Sequence, residues 1–328
     1  MKFFRIIVAS LAFVISLQSC QKDQEKSWAV DIEKPVEKIE IIDISKEFYD
    51  SNVPLQEFQQ KYPWFQGTVT DEDFSVRRND QEEAKIYKDA IAKIDINKLD
   101  KGLKDLFSHV QYHFPDFIAP KVFLYSSALQ GVTDPIFYRQ DENFLFIDIT
   151  GFMGEGNTYY KPLEAYYQKS MNPQNIVPKV SGIIAEQYVP FKAEQQKFID
   201  QLLYQGKLMI LQDAFLPNEP DYLKMNYTQK QFDWTYANEP NIWNYFVEND
   251  LVFSDDAKLV ERFIVPGPFF FFFTEIDNES SPQVGIFIGW QIAKTYLAKK
   301  PDTKLQDFLQ MDAQEIFSQA KYSPKFDN

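Results

Sequence analysis

The chain has 328 residues, 45% of them hydrophobic and 16% aromatic, which is ample for a large buried core. With 34 basic against 48 acidic residues it carries a net charge of −14, so it repels phosphate backbones and nucleic acid is set aside as a partner. A single cysteine, Cys20, and two histidines exclude an intrachain disulfide and leave almost no ligands for zinc or copper.

Lys2 and Arg5 precede an apolar run over residues 6–17, too short for a permanent membrane span. The run leads into Leu17-Gln18-Ser19-Cys20, which resembles a bacterial lipoprotein signal. Cleavage after residue 19 would free the amine and thiol of Cys20 for acylation. The alternative is an ordinary secretory signal with an incidental cysteine, but the lone Cys directly after the apolar run favours the first. Several acyl chains, at about 0.8 kcal/mol per buried methylene, make a stable anchor where one would not. The expected partner of Cys20 is therefore a membrane, inner or outer, with the rest of the chain outside the cytoplasm. Residues 20–36 are polar and aperiodic, a tether able to reach roughly 50 Å when extended. Residues 37–328 show neither a composition break nor a repeat, so a single domain is expected there.

Alternation over residues 38–41 predicts a first strand, and helices follow over 46–62 and 80–107, the second carrying Ile86, Ile91, Ile94 and Leu103 among charges. His109 and His113 stand at i and i+4 just before Phe114-Pro115. A hydrolytic metal site needs a third ligand and an activated water, so they read as surface histidines at a helix end. Strands are expected at 121–125 and 144–149, with another over 134–140 between them. Gly151, Gly154 and Gly156 then form a loop that lacks the Lys-Ser or Lys-Thr of a phosphate-binding turn. After residue 158 the pattern is mostly helical. Thr228/Gln231 and Thr303/Gln306 have capping-box spacing, and Asp312/Glu315 is an Asp version. The fold class is α+β, mostly helical, with a small β-sheet in the N-terminal half.

Residues 180–217 read as two consecutive helices, the first over 180–189 ending at Pro190 and the second starting near residue 193 and ending at Pro217. Zinc peptidases hold their metal on such a pair, with two His at i and i+4, a general-base Glu between them, and a carboxylate from the second helix. The matching positions here are Ala185, Glu186, Val189 and Gln205. The Glu is present and the three ligands are absent, so neither metal nor cofactor is expected: a peptidase-like scaffold without its zinc. Glu186 is either a relic or active base facing a groove, or a structural carboxylate pairing with a Lys or a backbone donor. Hydrolysis by a carboxylate pair stays open, because nothing in the sequence selects one pair among 48 acidic residues. A serine or cysteine triad would need one of the same two histidines.

Pro266-Gly267-Pro268 opens a run of five phenylalanines, residues 269–273. Alternation would turn Phe269, Phe271 and Phe273 to one side, either into the core or, with Trp290, toward a protein partner. Trp234, Trp243 and Trp290 raise a second idea, a sugar-binding groove, against which stands packing, the usual role of aromatics in a chain this rich in them.

Several of these stretches together resemble one family. They are the signal ending at Cys20, Phe114-Pro115, Asn157-Thr158-Tyr159-Tyr160, Ala165-Tyr166-Tyr167 and Ile184-Ala185-Glu186-Gln187. With them come Gln205-Gly206-Lys207, Asp213-Ala214-Phe215-Leu216-Pro217, Ile242-Trp243-x-Tyr245-Phe246 and Asp277-Asn278-Glu279-Ser280. Val284-Gly285-x-x-Ile288-Gly289-Trp290-Gln291-Ile292 and Lys321-Tyr322-x-Pro324-Lys325 complete the match. The chain is similar here to the gliding-motility lipoprotein B family (GldB). The resemblance implies an envelope lipoprotein required for gliding and associated with type IX secretion, with zinc-peptidase-like proteins in the wider group and no known catalytic activity. The five-Phe run departs from the Pro-Phe and mixed residues expected there. The expectation is a lipid-anchored, non-catalytic component that binds other envelope or motility proteins. The rivals are a carboxylate hydrolase, with or without a hard cation such as calcium or magnesium, and a peptidoglycan or carbohydrate binder.

Overall fold

The computed structural model describes residues 30–190, 192, 194, 196–267 and 280–326. The signal at 1–19, Cys20 with the first part of the tether, and Phe269, Phe271 and Phe273 lie outside the described residues.

A four-stranded sheet occupies the N-terminal half, in the order β1-β2-β4-β3. Its strands are β1 (Ile41–Asp43), β2 (Lys121–Tyr125), β3 (Ile136–Arg139) and β4 (Phe144–Asp148). β1, β2 and β4 run parallel, and β3 closes the edge antiparallel to β4. Parallel strands are covered on both faces, and the period-2 alternation of β2 and β4 sorts two chemistries. Val122, Leu124, Leu145 and Ile147 join the main hydrophobic core, while Phe123 and Phe146 turn to an aromatic layer. That layer is completed by Phe48, Phe58 and Phe74 from α1 (Ile44–Phe48), α2 (Leu55–Lys61) and α3 (Asp71–Arg78).

The single helix expected over 46–62 is two: α1 stops at Phe48, a turn follows, and Pro54 stands just ahead of α2, where its missing N–H costs nothing. The helix expected over 80–107 is likewise two, α4 (Gln81–Ile91) and α5 (Ile96–His113). Asp95 divides them as an N-cap, its carboxylate accepting the Lys98 N–H at 3.0 Å. His109 is not a surface residue: it is 3% exposed, with its Nδ1 2.9 Å from the Asp105 carbonyl oxygen one turn back.

The C-terminal half is helical: α6 (Ala165–Gln168), α7 (Ile176–Ala185), α8 (Phe198–Phe215), α9 (Asp221–Lys224), α10 (Gln229–Ala237), α11 (Glu239–Glu248), α12 (Lys258–Phe263), α13 (Val284–Lys299), α14 (Leu305–Gln310) and α15 (Ala313–Ala320). The Thr228/Gln231 capping box forms, with the Gln231 N–H donating to Thr228 Oγ1 at 3.2 Å and the Thr228 N–H to Gln231 Oε1 at 2.9 Å. The Thr303/Gln306 pair does not form a box. α14 starts one residue later, and Gln306 Nε2 donates instead to the His113 carbonyl at the end of α5, 2.7 Å away.

α8 and α13 form the spine, and their backbones meet at two glycines. A Cβ on Gly206 would lie 2.3 Å from the Gly289 carbonyl oxygen, and one on Gly289 would lie 1.8 Å from that of Leu202. Only hydrogen fits at either position. Close by, α8 carries Asp213 at 2% exposure, a carboxyl group among buried apolar side chains. Asp213 accepts from Lys224 Nζ at 2.7 Å and from the Trp290 indole N–H at 2.9 Å. Lys294 Nζ covers the Trp290 ring 3.4 Å from its centroid. A buried carboxylate is tolerated only when its lone pairs are met in this way, so the network fixes how α8, α9 and α13 dock.

Candidate functional site

α7 begins at Ile176, four residues before the expected start, because Pro178 sits in the first turn, where its missing N–H costs nothing. It also ends early, at Ala185. The Gln187 and Tyr188 N–H groups bond back to Ile184 and Ala185, three residues rather than four, as the chain tightens before Pro190. α8 begins at Phe198, with Asp200 accepting the Lys197 N–H at 3.1 Å.

The four positions read from the peptidase pattern therefore do not share one site. Ala185 is fully buried and Val189, already past the helix end, is 4% exposed, so both point into the core. Gln205 is half-buried on α8. Glu186 is the residue that reaches a cleft, and the α8 residue lining that cleft is Gln212, two turns beyond Gln205.

The cleft measures about 210 Å³ and lies between the loop ahead of β3, the outer face of α7, and α8. Its polar groups come from four places in the chain. Thr133 and Asp134 precede β3, Lys179 lies on α7 with Glu186 just past its end, Gln212 comes from α8, and Asn226 from the turn after α9. Gly182 lies between them, and a Cβ there would meet nothing closer than Gln212 Nε2 at 3.9 Å. Asn226 holds φ at +56°, a left-handed conformation that Asn tolerates better than most residues.

Crowding at the cleft wall perturbs two of these groups. Partial desolvation, and then the like charge of Asp134, raise the Glu186 carboxyl above the ordinary range. Glu186 as a residue is nonetheless exposed, and solvent screening keeps the effect modest. Desolvation lowers Lys179 to about 8, opposed only by the attraction of Asp134. On the floor, Gln212 is 6% exposed and its Oε1 meets no donor among the described residues; the Asn226 Oδ1 is equally unmet. A larger cavity of about 1030 Å³ opens on the opposite flank of α7, against Val36, Leu99, Val177 and Leu223. Charged side chains, Lys93, Lys98, Lys101, Asp105 and Glu219 among them, share its lining with those aliphatic ones, but it contains none of the expected site residues, and the smaller cleft, which Glu186 borders, is therefore the candidate.

The aromatic expectations divide differently. Trp290 is fully buried, so it cannot contact a partner; its indole holds Asp213 instead. Trp243 is 7% exposed and packs edge-on against Tyr322, and Trp234 is half-buried against the core. These rings are packing, and no tryptophan-lined sugar groove exists among the described residues. His109 and His113 are separated from the cleft at the end of α5. Sequence reasoning missed Asp134, Lys179, Gln212 and Asn226. The one visible signal was Lys179, the only charge in the apolar stretch that forms α7.

This fold and site define a mostly helical α+β domain with a small polar cleft beside its helical spine. The chain belongs to the gliding motility protein GldB family, whose model matches residues 25–324. No curated protein and no solved structure matches it. The family is one of gliding-motility lipoproteins, consistent with a domain held at a membrane by lipid. No helix among the described residues is long and apolar enough to cross a membrane.

Proposed function

We propose that this chain is a lipid-anchored, non-catalytic envelope component that binds another protein of the motility and type IX secretion apparatus through the cleft at Glu186. Acylated Cys20 holds it to the membrane, and the tether sets its reach. The observation that carries the reading is the burial of Ala185 and Val189. Where a zinc peptidase aims imidazoles at a metal, this chain turns short aliphatic side chains into its core. That leaves Glu186 without a neighbouring electrophile to serve, at the edge of a cleft with unmet acceptors. The test is photo-cross-linking in gliding cells, with a photoreactive residue at Ile183 on the cleft rim. A discrete adduct with one envelope protein is expected, and its absence in cells that still glide would remove the proposal.

One observation favours a second reading. Glu186 and Asp134 border the same cleft, and desolvation, with the like charge of Asp134 adding to it, raises Glu186, as in a carboxylate pair poised for acid–base hydrolysis. That reading requires turnover of a peptide or glycan by the purified chain, lowered about 10²–10⁴-fold by Glu186→Gln.

A further inference from the structure

The floor of the cleft shows a deficit of donors. Gln212 is more than nine-tenths buried, and its Oε1 has no hydrogen-bond donor; the Asn226 Oδ1 beside it has none either. Two carboxylates, Glu186 and Asp134, border the same space. Against these two carboxylates and two unmet amide oxygens Lys179 is the one positive charge in the lining, the other donors being neutral, the Thr133 hydroxyl and the amide N–H groups of Gln212 and Asn226. An occupant that completes the site must bring several N–H donors and positive charge in a small volume.

Three classes of cation can be compared on that basis. A divalent metal would accept the oxygens, but it would sit beside the Lys179 ammonium and needs six or more ligands. A free amino acid brings the ammonium but also a carboxylate, which two carboxylates repel. A polypeptide amino terminus brings an ammonium with three donors and no acceptor, followed by a neutral amide carbonyl. The ammonium suits the oxygens, and the carbonyl can accept from Lys179. A cleft of about 210 Å³ holds one or two small residues, and its open side lets the chain continue outward.

We propose that the cleft captures the free amino terminus of a polypeptide. The three N–H groups of the ammonium donate to Glu186 and the amide oxygens of Gln212 and Asn226, Asp134 adds a second negative charge, and the first carbonyl accepts from Lys179. This rests on the binding function proposed above and specifies what is bound.

The test uses the full-length chain in detergent and binding measured by calorimetry. The probes are alanyl-alanine amide, its N-acetylated form, free alanine, n-butylamine and calcium. Saturable binding of the uncapped dipeptide is expected, with the acetylated form weaker by about tenfold or more, equivalent to about 1.4 kcal/mol. Glu186→Gln, at an exposed position that does not threaten the fold, should weaken the dipeptide by a similar factor. Gln212→Leu should do the same if its unfolding midpoint is unchanged. Equal binding of the acetylated form, or tighter binding of calcium, alanine or butylamine, would overturn the assignment. Should no dipeptide bind while cross-linking at Ile183 still captures an envelope protein, this inference falls and the binding function stands. Failure of both removes the two together.

Discussion

The glycine crossing of α8 and α13 makes a demanding prediction, because backbone propensity and packing give opposite signs there. Gly289→Ala in a helix interior gains up to about 1 kcal/mol from propensity alone. Its new Cβ, however, would lie 1.8 Å from the Leu202 carbonyl oxygen, a backbone atom that cannot rotate away. Ordinary contact needs well over 3 Å, so the two helices must part by more than an ångström. Leu202, Ile288, Trp290 and Ile292, all fully buried in that seam, would have to separate with them. Overpacking of this kind costs roughly 1–3 kcal/mol or more, so a net loss on the order of 2 kcal/mol is expected. Gly182→Ala is the control: it is also helical, but its Cβ meets only Gln212 Nε2 at 3.9 Å, and it should be neutral or stabilising by up to about 1 kcal/mol. Urea unfolding measures both, the midpoint moving down for Gly289→Ala and not for Gly182→Ala, with the slope unchanged. A Gly289→Ala midpoint at or above that of the parent would refute the close-crossing argument.

Three further outcomes follow from the same reasoning. Lys224→Met leaves Asp213 buried without its shortest ion pair and should cost about 3 kcal/mol in urea unfolding, with much of the loss recovered by adding Asp213→Asn. Lys179, about 8 in the native state against 10.5 as a free side chain, disfavours folding while charged, so its penalty is present below pH 8 and is relieved as pH rises from 8 toward 10.5. The stability difference between the parent and Lys179→Met, measured by unfolding across that window, should grow in the parent's favour; a flat difference would remove the desolvation argument. Cys20→Ser should release the chain from membranes or leave it unprocessed, and cell fractionation that still finds a processed membrane species would contradict the lipid anchor.

Much of the sheet was legible because its signals are local. β2 fell where Lys121-Val122-Phe123-Leu124-Tyr125 predicted it, and β4 ended one residue short of the expected span. The breaks inside the helical stretches were also written locally, in Pro54 and Asp95, but hydrophobic spacing continued across both and masked them. The ion-pair network was not legible, since the Trp290 to Asp213 bond joins residues 77 apart and no periodicity matches such partners. For the same reason the sequence left Trp290 open between core packing and a contact surface. At the candidate site Glu186 was found, but Gln205 was chosen over Gln212. The peptidase spacing assumes a first helix that continues through Val189, and here Pro190 stops it at Ala185. Asp134 and Asn226 lie in turns, where side-chain direction follows backbone geometry that sequence pattern does not carry.

The central claim is that the chain acts by holding a partner in the cleft at Glu186. Gly182 faces that cleft with room beside it, so Gly182→Phe should fill the space while leaving the spine intact. The deciding measurement is colony spreading and single-cell gliding of a Gly182→Phe strain beside a Gly182→Ala strain, with both proteins at parental abundance. Gliding lost in Gly182→Phe and kept in Gly182→Ala is the predicted result; normal gliding in both would contradict the account.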